Sequence, residues 1–197
     1  MADLDKHNKA VEAIVDWHCK LHPRTDGYDG NRAARARLRR CAIVLDALAV
    51  SETQALLRLL RAAGLPSCYD DRVLLLAILL ARVKPMKDGN RFAEILGGDA
   101  QQVMRPMRFD GLMKAMLSSE FSLQLRVLRR AIELVRRKPP FNSRAFIGDI
   151  LFFNDETARN WTLDYWHTPR SLEQSAHENA RTSEEALPFT LLLEIPS

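Results

Sequence analysis

The sequence predicts an all-α protein, and three observations carry that reading. Apolar residues recur at helical spacing along almost the whole chain, and no stretch shows the sustained alternation of a half-buried strand. Proline, glycine and short polar residues punctuate the apolar runs where helices start and stop. With 197 residues, 47% of them hydrophobic, the chain can bury one sizeable core without a second domain. The expectation is a compact bundle of about nine helices over residues 1–167, followed by a tail, 168–197.

A first helix is expected from about Lys6 to Leu21, with Val11, Ile14, Val15 and Trp17 inward, ending at His22-Pro23 and a Gly27–Gly30 loop. A second starts after Asn31 and carries Ala34, Leu38, Cys41, Leu45 and Leu48 as one inward stripe. Ser51 and Gln54 form a capping box for a third, which holds Leu56, Leu57, Leu59 and Leu60 and stops at Gly64-Leu65-Pro66. Asp70 or Asp71 caps a helix reaching Val83. Its run Val73–Ala81 is too short for the ~20 residues of a membrane span and reads as buried core.

Lys84-Pro85-Met86-Lys87-Asp88-Gly89 breaks the pattern and makes a basic loop. Short helices follow near Arg91–Leu96 and Arg108–Leu117, separated by Gly97-Gly98 and Pro106. A long helix from Ser119 or Glu120 to Arg137 puts Phe121, Leu125, Leu128, Ile132 and Val135 on one face before Pro139-Pro140. Ser143 caps a helix over Arg144–Phe153, and Asp155 starts the last, with Trp161, Leu163, Tyr165 and Trp166. Beyond Trp166 the polar composition cannot offset chain entropy and predicts disorder, except at Leu187–Ile195, which is apolar enough to dock on a surface.

The net charge is +4, but the tail holds two arginines against five glutamates, which leaves +7 on the body. A folded basic exterior attracts polyanions through counterion release, and nucleic acid is the commonest partner of that kind. The charge is organised in stripes. Arg32, Arg35 and Arg39 share one edge of the second helix, with Arg37 and Arg40 beside it. On the long helix Arg126, Arg130 and Arg137 align, with Arg129 and Arg136 alongside and Glu133 as the one carboxylate in the stripe. Arginine suits phosphate because its planar fork is always charged and makes two hydrogen bonds at once. Backbone contact follows from such a pattern; base readout does not.

Other candidates fare less well. His18 and His22 lie one turn apart, but two ligands on one face do not make a zinc site, and no cofactor is expected. Asp149, Asp155 and Glu156 read as a helix cap and a surface turn, and Ser118, Ser119 and Ser143 as caps. The glycines form neither a phosphate loop nor a dinucleotide fingerprint. Trp161 reads as core, while Trp166 is left open between core and base stacking. Cys19, Cys41 and Cys68 are odd in number and unpaired in spacing, and the N-terminus shows no signal core, so a cytoplasmic protein is expected.

Five fragments, in order, resemble the CasB family, the small subunit of the type I-E CRISPR surveillance complex Cascade. They are Arg35-Ala36-Arg37-Leu38-Arg39-Arg40, Asn90-Arg91-Phe92-Ala93, Met107-Arg108-Phe109-Asp110-Gly111-Leu112-Met113, the stretch Leu125–Ile132, and Asn160–Trp166. The resemblance implies a non-enzymatic protein that self-associates as a dimer along a guide RNA complex, touches other Cascade subunits, and stabilises the R-loop through target and displaced DNA strands. It implies backbone-contacting roles for Arg35, Arg39, Arg40, Arg91, Arg108, Arg126, Arg129 and Arg130. Lys84 and Lys87 join them from their place in the basic loop. The acidic tail after His167 departs from the family's usual ending. The competing readings are a stand-alone dimeric helix-turn-helix DNA-binding regulator, a metal-dependent nuclease and a protein-only scaffold.

Overall fold

The computed structural model describes residues 2–23, 27–98 and 102–168. The expectations for the tail, including its docking stretch Leu187–Ile195, lie outside the described residues. Among the described residues nine α-helices form one unit: α1 (Ala2–Leu21), α2 (Arg32–Arg40), α3 (Ser51–Ala62), α4 (Asp70–Leu80), α5 (Phe92–Gly97), α6 (Pro106–Leu117), α7 (Phe121–Val135), α8 (Ser143–Leu151) and α9 (Asp155–Tyr165). Two 3₁₀ segments, Val44–Ala49 and Ser67–Tyr69, join them, and no strand occurs among the described residues.

The hub is α4. Every residue from Val73 to Ala81 is buried, because α2, α3, α7, α8 and the first 3₁₀ segment surround it. A helix apolar on all sides is stable only in such a position, where each leucine contributes about 1.5–3 kcal/mol by leaving water. α1 packs on α3 and α8 through Ala10, Ile14 and Val15. Trp17 is only half-buried, and its indole N–H donates to the Glu52 carbonyl at 3.1 Å. A second cluster gathers Phe92, Phe146 and Phe153 around the buried Trp161, joining α5, α8 and α9. α5 meets α9 at Gly97, where an added Cβ would lie 2.8 Å from the Tyr165 carbonyl carbon, so only glycine fits that crossing. Trp166 is 54% exposed and stands edge-on to Tyr165.

The structure corrects several helix expectations. The second helix stops at Arg40 instead of running on through Leu48, and Leu45 and Leu48 are exposed. The Asp46 carboxylate accepts the N–H groups of Ala42 at 2.6 Å and Ile43 at 3.0 Å, which favours a turn over continued helix. The chain then winds as a 3₁₀ helix, and its three-residue period turns Val44, Ala47 and Val50 inward. No capping box forms at Ser51: Val50 holds the cap position, and Gln54 donates to the Leu48 carbonyl. Leu59 is exposed and Leu57 half-buried, so only Leu56 and Leu60 of that quartet enter the core. α4 ends at Leu80, not Val83. Asn142, not Ser143, caps α8, and Asp149 lies inside α8, not at a cap or a surface turn.

His18 on α1 and His22 just past its end cap the C-terminal end of α4. Their Nε2 atoms lie 2.9 Å from the carbonyl oxygens of Val83 and Leu80 respectively. A carbonyl only accepts, so each Nε2 carries the hydrogen and each Nδ1 a lone pair. Both rings are thereby engaged with backbone, and no group of three His, Cys, Asp or Glu residues capable of holding a metal occurs among the described residues. His18 Nδ1 is buried without a partner, and burial lowers the pKa of this histidine from 6.5 to about 4. The protonated form is penalised only in the folded state, so stability is complete above pH 6.5 and declines as pH falls toward 4. This one group accounts for about 3 kcal/mol over that interval. Urea midpoints at pH 7.5 and 4.5 are expected to diverge accordingly, and less so in His18→Gln; a wild-type midpoint that does not move would contradict the assignment.

Candidate nucleic-acid interface

Three segments distant in sequence bring cations to one groove of about 790 Å³. α2 contributes Arg35 and Arg39, the turn after α4 contributes Arg82 and Lys84, and the end of α7 with the residues beyond it contributes Arg136 and Lys138. Glu133 is the only carboxylate among the described lining residues, and it pairs with Arg136 at 2.9 Å. Pro23, Pro85, Pro139 and Pro140 line the same groove, and their fixed φ angles stiffen it.

Arginine-to-backbone bonds hold these segments together. Arg39 Nε donates to the Ala81 carbonyl at 2.8 Å, and Arg82 returns a bond to the Arg39 carbonyl at 2.6 Å, locking α2 onto the end of α4. Arg129 of α7 donates to the Cys41 carbonyl just past α2. These carbonyls terminate helices or lie in the turns beyond them, where intrahelical partners are missing and a cation is favoured. The basic loop is fixed at its far end by α8. The Met86 carbonyl accepts from both the N–H and the hydroxyl of Ser143, at 2.8 and 2.9 Å, while Ser143 Oγ accepts the Met86 N–H at 2.9 Å.

The groove is a concentration of like charge. Burial and the neighbouring Arg35, Arg82 and Arg136 all lower the pKa of Arg39, although no guanidinium loses its proton near neutral pH. His22 lies at the wall, and its Nδ1 is 3.4 Å from an Arg35 guanidinium nitrogen. Burial, followed among the lowering causes by Arg35, Arg39 and Lys84, holds the ring below its ordinary pKa and therefore neutral. An anion placed among these cations would offset their mutual repulsion.

The sequence-predicted residues distribute unevenly. Arg35, Arg39 and Lys84 line the groove. Arg40 is exposed on the other side of the α2 terminus, where it shares a shallow hollow with Arg37 and Asp46. Arg126 and Arg130 are exposed on α7, Arg108 on α6, and Lys87 in the loop; none lines the groove. Arg129 is half-buried on its Cys41 bond. Arg91 is embedded in carboxylates, with Nη2 at 3.0 Å from Asp149 and Nε at 3.1 Å from Asp164, and it serves as an internal brace. Sequence reasoning missed Arg82 and Lys138 as groove residues and gave Arg136 no special place. Their available signal was position, immediately after a wholly apolar helix or immediately before Pro139-Pro140.

A family model described as CRISPR-associated protein Cse2 matches residues 34–166, more than half of the chain. The chain belongs to the Cse2 family. As the resemblance to CasB implied, this Cse2 protein is a small subunit of the CRISPR Cascade complex, and that family associates with other Cascade subunits. The match begins inside α2, so the groove-lining Arg35 and Arg39, Arg82 and Lys84, and Arg136 and Lys138 all fall within the Cse2 segment. Neither a search of curated proteins nor a search of solved structures found a match. No helix among the described residues of this Cse2 chain is long and apolar enough to cross a membrane.

Proposed function

We propose that this Cascade small subunit holds nucleic-acid strands by their phosphate backbones and so stabilises the R-loop, without catalysing a reaction. The observation that carries this reading is the convergence of Arg35, Arg39, Arg82, Lys84, Arg136 and Lys138 on one groove with a single carboxylate among its described lining residues. Exchanging a DNA duplex for a guide hybrid is nearly balanced in energy, so modest backbone contacts tip it. In this reading base pairing with guide RNA supplies recognition, and the subunit, acting in the cytoplasm and self-associated as a dimer, grips target and displaced strands. The exposed Arg40, Lys87, Arg108, Arg126 and Arg130 extend the positive field beyond the groove.

The test is fluorescence anisotropy of the purified chain with single-stranded DNA and unrelated duplexes over a salt series, with and without magnesium. If the six groove cations each meet a phosphate, the logarithm of the binding constant falls with the logarithm of salt at a slope of about −4 for single strands. Binding indifferent to salt, or none either alone or within a reconstituted guide complex, would overturn the reading. Sequence-specific duplex binding would point instead to a helix-turn-helix regulator, and chelator-sensitive cleavage to a nuclease.

A further inference from the structure

Among its described lining residues the groove contains one imidazole, His22, and both of its nitrogens are committed by geometry. We propose that His22 positions the groove's arginines when the groove is empty and takes up a proton when a phosphodiester strand seats there, so that the grip tightens as pH falls. This rests on the strand-holding reading of the same groove.

Several contacts place His22 for that role. Its backbone is clamped by Gly30, where an added Cβ would lie 2.5 Å from the His22 carbonyl carbon and 2.7 Å from its oxygen. Its Nε2–H is held by the Leu80 carbonyl at 2.9 Å, which leaves the Nδ1 lone pair facing the Arg35 guanidinium at 3.4 Å. The neutral ring therefore accepts from Arg35 and restrains it at the groove wall. A protonated ring would point N–H at N–H there, with Arg39 and Lys84 adding repulsion.

A seated phosphate reverses that balance. Arg35 turns its donors to the anion, the Nδ1 lone pair loses its partner, and the anion's charge offsets the three cations that disfavour the imidazolium. The proton comes from solvent and adds to Nδ1, no bond in the strand is made or broken, and Nε2–H stays on Leu80. By linkage, affinity rises as pH falls wherever the bound form holds more protons than the free form, with a limit of tenfold per pH unit for one proton.

Among the described residues the other charged groups facing His22 are its neighbour His18, whose pKa of about 4 lies below the window, then Arg82, Arg136, Lys138 and Glu133 from the surrounding segments. Of these, Glu133 is the one whose neutralisation would mimic the effect, so Glu133→Gln serves as the control.

The probe is an oligothymidylate, whose diester phosphates and bases do not titrate between pH 5.5 and 7.5. Wild-type protein at constant ionic strength is expected to bind it about fivefold tighter at pH 5.5 than at pH 7.5. Glu133→Gln is expected to keep that rise. His22→Gln places an amide N–H toward Leu80 and carries no titrating proton, so whatever its affinity at pH 7.5 it is expected to lose the rise. NMR titration of the wild-type His22 ring, with and without the oligonucleotide, gives a second readout that needs no variant; its midpoint should move upward when the strand is bound. Salt-sensitive binding with no pH rise, a rise that survives in His22→Gln, or an unmoved midpoint overturns the proposal for His22 and leaves strand holding intact. Absence of salt-sensitive binding at any pH in the wild type overturns both.

Discussion

The triple variant Lys84→Gln/Arg136→Gln/Lys138→Gln is expected to bind single-stranded DNA about a hundredfold more weakly than wild type while keeping its thermal midpoint. These three groove cations are exposed, and none of their side chains donates to a backbone carbonyl among the described residues. Losing a charge-assisted contact at each, at about 1 kcal/mol apiece, gives roughly that factor. The salt slope should shrink by about 2, from three fewer phosphate contacts. Arg39, Arg82 and Arg129 are unsuitable for this test because each also braces the fold through a carbonyl. A matched variant, Lys87→Gln/Arg108→Gln/Arg126→Gln, removes the same charge from outside the groove and is expected to lose only about threefold, through the long-range field. Equal losses from the two sets would mean that diffuse charge, not the groove, holds the strand.

Arg91→Ala is expected to cost about 3–5 kcal/mol of folding stability, the range seen when one partner of a buried ion pair is removed. Arg91 donates to both Asp149 oxygens, at 3.0 and 3.2 Å, and the Trp161 indole N–H takes one of them at 2.8 Å. Burial pushes the Asp149 carboxyl above the usual range, while the Arg91 charge and the two hydrogen bonds pull it back. Removing Arg91 raises it further. A carboxyl whose folded pKa lies above its unfolded value favours the fold when protonated, so the variant should regain part of its loss as pH falls through that raised value. Urea denaturation at pH 7.5 and pH 5 reads both effects, and Asp149→Asn in the Arg91→Ala background should recover part of the loss already at pH 7.5. A loss under about 1 kcal/mol coupled to weakened strand binding would return Arg91 to the interface.

Arg91 also shows where reading the chain by itself runs out. In sequence it is one more arginine after a basic loop, indistinguishable from Lys87 or Arg108. Its pairing comes from Asp149 on α8 and Asp164 on α9, residues that only chain packing brings to it. Leu45 and Leu48 fit a helical stripe equally well on paper, yet the Asp46 side chain and a change of period to three place Val44 and Ala47 inside instead. Periodicity describes which residues want burial; it does not count how many of them the neighbouring elements have room to cover.

The helical class, the wholly buried run Val73–Ala81 and the excess of arginine plus lysine over carboxylate in the body were determined by the sequence alone. Each depends on local spacing, on hydropathy or on composition, and these are properties of the chain before it folds. The order of the fragments that resemble the Cascade small subunit was legible for the same reason, and the family match covers them from Arg35 onward. The tertiary structure decided which cations meet. Arg35, Lys84 and Lys138 are separated by dozens of residues, and they converge because α4 is buried deeply enough for α2 and α7 to flank its C-terminal end. Charge is encoded residue by residue, but a groove is a relation between surfaces, and that relation exists only once the core has packed.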